Sequence, residues 1–267
     1  MNCPICEEKL EEKGGLMLCP SCEASLRIGR VSYPELHYDE PRRREIYIDS
    51  QKDVFAAVVN GAEKHIQQKG RWLDVGCACG SLLEMVQEKG WEACGIEPSA
   101  ELAAAGRGFD IQIKPFEQAV LKDNYFEIIS MISVLYLFEN PLKQLVRARL
   151  AMKPGGILIL REYNASFHSL LRRLDFLWSL FGFKPYIVHN FNFTRKTLET
   201  ALKRAGFEIV EFLNSPLTIS DPYKQGHLVP ILKKAADIFS RLTYYLSFGK
   251  ILTSSSFLIF ARKKEIE

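Results

Sequence analysis

Residues 71–80 read RWLDVGCACG, and this stretch determines the fold class. Its apolar first half has the length of a buried strand, its glycines provide a bend, and residues 81–85 begin a helical run. About twenty residues after Gly76, a second apolar run ends in an acidic side chain, Glu97. Glycines let the backbone approach a ligand closely, and a carboxylate on the neighbouring strand can accept hydrogen bonds from two ribose hydroxyls. The pattern predicts a nucleotide-type binding site.

Strand and helix patterns alternate along the rest of the chain, which predicts an α/β fold with a parallel sheet and helices on both faces. The predicted strands are 71–76, 92–97, 110–113, 125–131, 156–162, 207–213 and 255–262. The predicted helices are 80–89, 99–106, 141–152 and 194–205.

Motifs in three regions resemble those of class I S-adenosylmethionine-dependent methyltransferases. The pattern D-x-G-x-A-x-G at 74–80 resembles their first motif, and GIEPS at 95–99 resembles their second. Residues 126–131 resemble their fourth strand, and KPGGILI at 153–159 resembles the turn into their fifth. A dinucleotide-binding fold would require G-x-G-x-x-G instead. The resemblance covers about residues 35–262 and implies a Rossmann-like, mostly parallel sheet of seven strands, the last one antiparallel.

The resemblance implies S-adenosylmethionine as the cofactor and assigns its contacts by position. Gly76, Ala78 and Gly80 would line the bend under its methionine part. Asp74 would order that bend, and Glu97 would bind the ribose hydroxyls. Ala78 stands where relatives often have glycine, which adds one methyl group to the bend.

Five further cofactor contacts follow from the same resemblance with looser matching. Phe116 would stack on adenine, while Met131 and Ser133 would face the sulfonium. Tyr38 and Arg43 would reach the methionine carboxylate from the segment before the first strand, although that segment could equally be a solvated basic turn.

The loop after the fourth strand puts general-base catalysis in doubt. Relatives often carry Leu-Glu-His there, whereas residues 135–137 read Leu-Tyr-Leu. The remaining catalytic candidates are His189, Tyr163 and Tyr136. A neutral histidine near pH 7 suits deprotonation of a hydroxyl. The alternative for His189 is a structural role.

Two Cys-Pro-x-Cys pairs predict a zinc ribbon over residues 1–30. Each pair resembles a zinc knuckle, and together they supply Cys3, Cys6, Cys19 and Cys22 as four thiolate ligands. Such a site has no open position, so the Zn²⁺ would be structural. So short a segment cannot build a core, and the metal would provide most of its folding free energy. The alternative is a pair of disulfides or idle thiols.

The charge of this segment disfavours nucleic acid as its partner. Residues 1–30 contain four Lys/Arg and five Asp/Glu, a poor match for a phosphate backbone. Docking against the catalytic domain or a protein partner fits better. Some ribosomal-RNA methyltransferases also begin with a zinc element, so a ribosomal- or transfer-RNA substrate stays open as an alternative.

The other domain boundaries follow from the motif positions. Residues 31–70 would form a helical connector covering the cofactor, and 71–267 the methyltransferase domain. Apolar insertions at about 166–189 and 214–254 would form a lid over the acceptor. They favour a small apolar acceptor, such as a quinone, a lipid or a natural-product-like molecule. With sixteen Lys/Arg against nine Asp/Glu in residues 161–267, they also allow peripheral membrane contact. The alternative is that they pack on the core and on a symmetry mate.

Composition bounds these expectations. The 267 residues are 47% hydrophobic and 25% charged with a net charge of +3, as in ordinary globular proteins, and no basic excess indicates nucleic acid. The sequence shows neither a signal-peptide pattern nor an uncharged run long enough to span a bilayer, which predicts a cytoplasmic protein. A non-catalytic scaffold with the same fold remains the alternative from another functional class. The sequence leaves the oligomeric state open.

Overall fold

The computed structural model describes residues 1–29, 41–66, 68–106, 108–179, 188–218, 228–248 and 251–265. Tyr38 lies outside these ranges, as do parts of both predicted insertions. In chain order the elements are β1 (Glu11–Lys13), β2 (Leu16–Leu18), β3 (Ser25–Arg27), α1 (Pro41–His65), β4 (Arg71–Val75), α2 (Ser81–Glu88), β5 (Glu92–Ile96), α3 (Ala100–Ala105), β6 (Asp110–Gln112), β7 (Phe126–Ile132), α4 (Pro141–Ala151), β8 (Met152–Tyr163), α5 (Ala165–Arg173), α6 (Asp175–Ser179), β9 (Phe191–Asn192), α7 (Arg195–Arg204), β10 (Phe207–Asn214), α8 (Leu228–Leu246) and β11 (Ser256–Lys263).

Seven strands form the main sheet in the order β10-β11-β8-β7-β4-β5-β6. Five neighbouring strands of this sheet are parallel, namely β8, β7, β4, β5 and β6. The strand β11 is antiparallel to both of its neighbours, β10 and β8. This confirms the predicted Rossmann-like sheet with an antiparallel last strand. The strand order reverses beside β4, and ligands of such sheets bind at the carboxyl ends of the strands at that point.

The centre of the sheet is apolar because helices cover it on both faces. Residues 157–160 of β8 are all fully buried, as expected for a strand with neighbours on every side. On one face, α1 and α2 pack on Trp72 and Phe260. On the other face, the core around α4 and α7 continues into the N-terminal segment, where Ile5 and Leu10 are buried.

The N-terminal ribbon, defined here as residues 1–29, docks directly on the main domain. Its three strands are extended by β9 into a four-stranded sheet, in which Ser25 pairs with Asn192. Thr197 of α7 donates a hydrogen bond of 2.8 Å to the carbonyl of Cys22. Arg204 at the other end of α7 forms an ion pair with Glu7, with 2.6 Å between Nη2 and Oε1. These contacts agree with the expectation that the ribbon docks on the catalytic domain.

The helix α8 turns its polar side inward. Ser240 is buried, and Thr243 bonds to Thr253 over 2.7 Å. Its outward face carries large apolar side chains, which include Phe239, 59% exposed, and Tyr245, 80% exposed. Among the residues that the structure describes, no helix combines the length and the hydropathy needed to cross a bilayer.

Candidate functional site

The bend between β4 and α2 depends on glycine at Gly76. Its φ is +75°, and a Cβ there would lie 2.5 Å from Cγ1 of Val134. The Gly76 amide donates to the carbonyl of Ile96 over 2.8 Å, which fixes the bend on the neighbouring strand. Gly80 also has a left-handed φ, +80°, and directly precedes α2. The bend therefore presents backbone rather than side chains at the carboxyl edge of β4.

Glu97 is attached to this bend. Its Oε2 accepts a hydrogen bond of 3.0 Å from the Ala78 amide, and its Oε1 accepts one of 2.9 Å from the Ser99 amide. Ala78 has φ +47°, a left-handed conformation that costs a non-glycine residue about 1–2 kcal/mol. The carboxylate thus steadies a strained residue of the bend. Burial raises the pKa of Glu97, while its two amide donors oppose that shift. The assignment of Glu97 to the ribose hydroxyls stays a prediction.

A hollow of about 40 Å³, called here the cofactor hollow, lies over the bend. The bend forms its floor, and Ile132 and Ser133 from the end of β7 form one wall. Gln51 and Phe55 of α1 also line it. A helix from the predicted connector therefore lines this hollow, at the edge of the sheet where the strand order reverses.

Asp74 forms part of the hollow and is held from below. Ser130 donates a hydrogen bond of 2.6 Å to its Oδ1, and the Trp72 indole donates to Ser130 over 2.9 Å. Burial raises the pKa of Asp74 to about 7, helped by the negative charge of Glu97. A positively charged ligand group would restore the ionised form of this carboxyl.

The structure separates the two predicted sulfonium contacts. Ser133 lines the hollow with φ +59°, and its hydroxyl accepts a hydrogen bond of 2.6 Å from Nη1 of Arg161. Met131 does not line the hollow: its side chain is fully buried in the core. Successive side chains of a strand point to opposite faces, so the neighbouring Ile132 lines the hollow, and the sulfonium role of Met131 stays a prediction.

Of the three other predicted cofactor contacts, the structure describes the side chain of one, Phe116, and this residue does not line the hollow. Phe116 is buried, and its ring centroid lies 6.0 Å from that of Phe138. The guanidinium carbon of Arg147 lies 5.5 Å from the same Phe116 centroid. Phe116 serves the core, and its adenine role stays a prediction. Arg43 belongs to the first turns of α1, where side chains are not described, and Tyr38 lies outside the described residues.

The three catalytic candidates come together although 53 positions separate the first from the last in the sequence (189 − 136). The ring of His189 lies 4.0 Å from that of Tyr136 and 4.5 Å from that of Tyr163, measured between centroids. Asn192 holds the His189 backbone from both sides, with hydrogen bonds of 2.8 and 2.9 Å, and also donates to the Ser25 carbonyl. The ribbon therefore helps to fix this aromatic cluster.

His189 is a poor proton acceptor in this position. Burial lowers its pKa to about 3, so the ring is neutral at physiological pH and takes up a proton only at a large cost. This argues against His189 as a general base. The ring contacts assign it a packing role beside the two tyrosines.

Glu162 joins this cluster, although the sequence patterns did not predict it. It is fully buried at the end of β8, where its Oε1 accepts a hydrogen bond of 2.9 Å from the Leu135 amide. Its Oε2 has no hydrogen-bond partner among the described residues. Burial raises the pKa of Glu162 to about 8. Glu162, Tyr136, Tyr163 and His189 line one small cavity, called here the aromatic cavity. The signal for it in the sequence is an acidic residue that follows the apolar run 157–160 and Arg161.

The four N-terminal cysteines form a compact sulfur cluster. Their Sγ atoms all lie within 4.8 Å of one another, with 3.6 Å between Cys3 and Cys22 and 3.3 Å between Cys6 and Cys19. Sulfurs around a tetrahedral zinc lie about 3.8 Å apart for bonds of ~2.3 Å, whereas a disulfide requires ~2.05 Å. Backbone amides donate to two sulfurs, Cys3 and Cys19, over 3.4 Å. The four thiols fit a zinc-ribbon-like site and do not form disulfides.

Comparison with protein families gives one domain match. Residues 42–212 match the family described as a methyltransferase domain, which is more than half of the chain. An uncharacterized protein of Methanocaldococcus jannaschii is 26% identical over 172 residues, which cover 62% of this chain and 77% of that protein.

Solved structures share the fold at low sequence identity. An S-adenosylmethionine-dependent methyltransferase of Thermotoga maritima has a TM-score of 0.53 at 18% identity, covering 84% of this chain and 96% of its own. The plantazolicin methyltransferase BpumL, solved in complex with SAH, has a TM-score of 0.53 at 14% identity, covering 85% and 92%.

Proposed function

We propose that this chain, which belongs to the methyltransferase-domain family, uses S-adenosylmethionine to methylate a small, apolar acceptor. The observation that supports binding of the cofactor is the joint geometry of the bend and Glu97. A backbone bend, a buried carboxyl and an acidic strand end meet at the edge where the strand order of the sheet reverses.

The residues present fit the cofactor. The bend would hold its methionine part, with Asp74 beside the amino group, and Glu97 would turn from the Ala78 amide towards the ribose. When bound, the cofactor supplies a methyl group activated by a sulfonium. Gln51 and Phe55 would move outward to admit it, because a hollow of about 40 Å³ is smaller than the ~300 Å³ of a typical small-molecule site. With the cofactor bound, α1 would still lie over it and would exclude water from the methyl transfer.

The apolar character of the acceptor is inferred from large apolar side chains that three helices expose. α8 exposes Phe239, Leu242 and Tyr245, and α5 and α6 expose Leu170 and Phe176. On α8 the three side chains are neighbours at helical spacing, and soluble surfaces rarely carry large contiguous apolar patches. We infer that these faces contact an apolar acceptor or the membrane surface from which it comes.

Zinc would stabilise the ribbon and take no part in the chemistry. Four cysteine ligands leave no open coordination position. An RNA substrate is less compatible with the ribbon, because Glu8, Glu11 and Glu12 are exposed on it.

Calorimetry with S-adenosylmethionine tests the cofactor site. Glu97→Ala is expected to weaken binding at least tenfold, because it removes the ribose ligand and leaves Ala78 unsupported. The matched control is Glu92→Ala, at the exposed start of the same strand, where binding should stay unchanged. Equal affinity of the two variants would refute the assignment, and no binding by the unaltered protein would favour the non-catalytic scaffold.

A further inference from the structure

A groove of about 420 Å³ separates the N-terminal ribbon from α5. Sites for small molecules usually have volumes of roughly 300–1000 Å³, so its size suits an organic ligand. Part of its wall is apolar: Leu16 and Leu18 come from β2, Leu170 from α5, and Val188 from the segment before β9. No residue of the cofactor hollow lines this groove, so the two are separate spaces.

The inner end of the groove meets the aromatic cavity. Ala165, His168 and Asn192 line both spaces. Beyond them lies Glu162, whose Oε2 lacks a partner among the described residues although the side chain is fully buried. A buried carboxyl oxygen without a partner is costly. A donor group on a ligand would satisfy it and would favour the ionised form of Glu162 over the protonated form that burial favours.

One loop connects this cavity to the cofactor hollow. Ser133 lines the hollow, and Tyr136, three positions further, lines the cavity. Two neighbouring residues of β8 hold this loop. Arg161 donates a hydrogen bond of 2.6 Å to the Ser133 hydroxyl, and Glu162 accepts one of 2.9 Å from the Leu135 amide. A ligand that reaches Glu162 therefore lies across a single loop from the cofactor hollow.

The outer end of the groove is basic. Arg172 and Arg173 line it, and Arg172 also holds the ribbon through the Gly14 carbonyl at 2.9 Å. Glu23 also lines the groove, but its negative charge is paired with Lys196, whose Nζ lies 3.5 Å from Oε1. The Thr194 hydroxyl donates a hydrogen bond to the other oxygen of Glu23. The mouth thus keeps a net positive charge, which favours an anionic group.

We propose that this groove is the acceptor site, with the zinc ribbon as one of its walls. The acceptor has an apolar body, an anionic group at Arg173 and an O–H or N–H group that donates to Oε2 of Glu162. This inference rests on the proposed methyltransferase function, and it adds a position and a polarity to the acceptor.

The dye 8-anilinonaphthalene-1-sulfonate is a suitable probe, because it combines apolar rings, a sulfonate and an N–H donor. Leucine-methyl NMR of the full chain with zinc should show saturable shifts at Leu16, Leu18 and Leu170. Arg173→Glu should weaken the dye at least fivefold. The matched control is Arg241→Glu, an exposed charge reversal on the apolar face of α8, which should leave the groove signals unchanged.

The inference is overturned if the shifts are confined to Leu242 and Leu246 of α8, or if Arg173→Glu and Arg241→Glu bind the dye equally. Calorimetry with S-adenosylhomocysteine on the same samples separates the two claims. Cofactor binding without shifts at the groove leucines removes the groove proposal and leaves the proposed function standing. Absence of cofactor binding removes the proposed function.

Discussion

The cofactor hollow and the ribbon groove are built in different ways. The hollow is mainly formed by one short stretch of chain, residues 74–81, at the end of a strand in the main sheet. The groove joins residues 16–25, 165–173 and 188–194, three pieces that are far apart in sequence. Its shape therefore depends on long-range packing of the ribbon. Because of this difference the two sites should fail independently, the groove with the zinc and the hollow with the backbone of the bend.

Removal of zinc is expected to have the largest effect. Cys22→Ser removes one of the four sulfurs that would bind zinc, and the ribbon has little core of its own. The free energy of unfolding should fall by more than ~3 kcal/mol. Dye binding in the groove should disappear, while affinity for S-adenosylhomocysteine should change less than threefold.

Thermal unfolding, zinc content and both titrations provide the measurement. The conservative control is Ser21→Ala, an exposed neighbour that is not a ligand. A variant that lost its zinc but kept the groove signals would contradict the dependence of the groove on the ribbon.

Gly76→Ala should produce the opposite pattern. Its Cβ would meet Val134 at 2.5 Å and its φ is left-handed, so we expect a loss of about 1–3 kcal/mol of stability. Cofactor affinity should fall at least tenfold, and dye binding should persist. Gly155→Ala is the matched control, since Gly155 also has a positive φ but a Cβ there would meet nothing within 4 Å. Similar cofactor affinities in both variants would show that backbone approach is unimportant.

Glu162→Gln tests the aromatic cavity at the inner end of the groove. The pKa of Glu162 is about 8 when folded and lies near its ordinary value of 4.5 when unfolded, so the folded protein binds more protons between these values. Stability should therefore fall as pH rises from about 4.5 to 8, by up to a few kcal/mol. Glutamine can still accept from the Leu135 amide, and the variant should lose this part of the pH dependence. Urea unfolding at several pH values measures it, with the exposed Glu208→Gln as control. Parallel curves for the unaltered protein and Glu162→Gln would show that Glu162 is not a buried acid.

Asp74→Asn is expected to remove a smaller part of the pH dependence of the free energy of unfolding than Glu162→Gln does. The affected pH range ends near pH 7 instead of pH 8. The pKa of Asp74 is raised to about 7, so its stabilising contribution is also lost as pH rises, here from about 4. Asparagine keeps an oxygen that can accept from Ser130. At pH 8 the variant should be slightly more stable and bind the cofactor less tightly. The same unfolding experiment with calorimetry would contradict this expectation if stability dropped.

The contrast between the two sites also explains what the sequence could predict. The sheet, the bend and the four cysteines depend on local patterns of strand, glycine and thiol spacing, and the structure agrees with all three. Met131 shows a weakness of local patterns, because strand alternation puts its side chain in the core and the next one, Ile132, in the hollow. The sequence patterns did not indicate Glu162 as a site residue, because its role depends on burial among residues from other segments of the chain. Likewise, no pattern in residues 1–30 indicates that β3 will pair with β9.

The pairing of β3 with β9 has a consequence for how this chain acquires its structure. Ser25 and its partner Asn192 are 167 positions apart, so a ribosome releases the first long before the second. During that interval Ile5 and Leu10 lack the surface that later covers them, and a metal ion is the available means of keeping the early segment ordered. Contacts between such distant positions slow folding. Metal supply during synthesis should therefore govern the yield of correctly assembled protein.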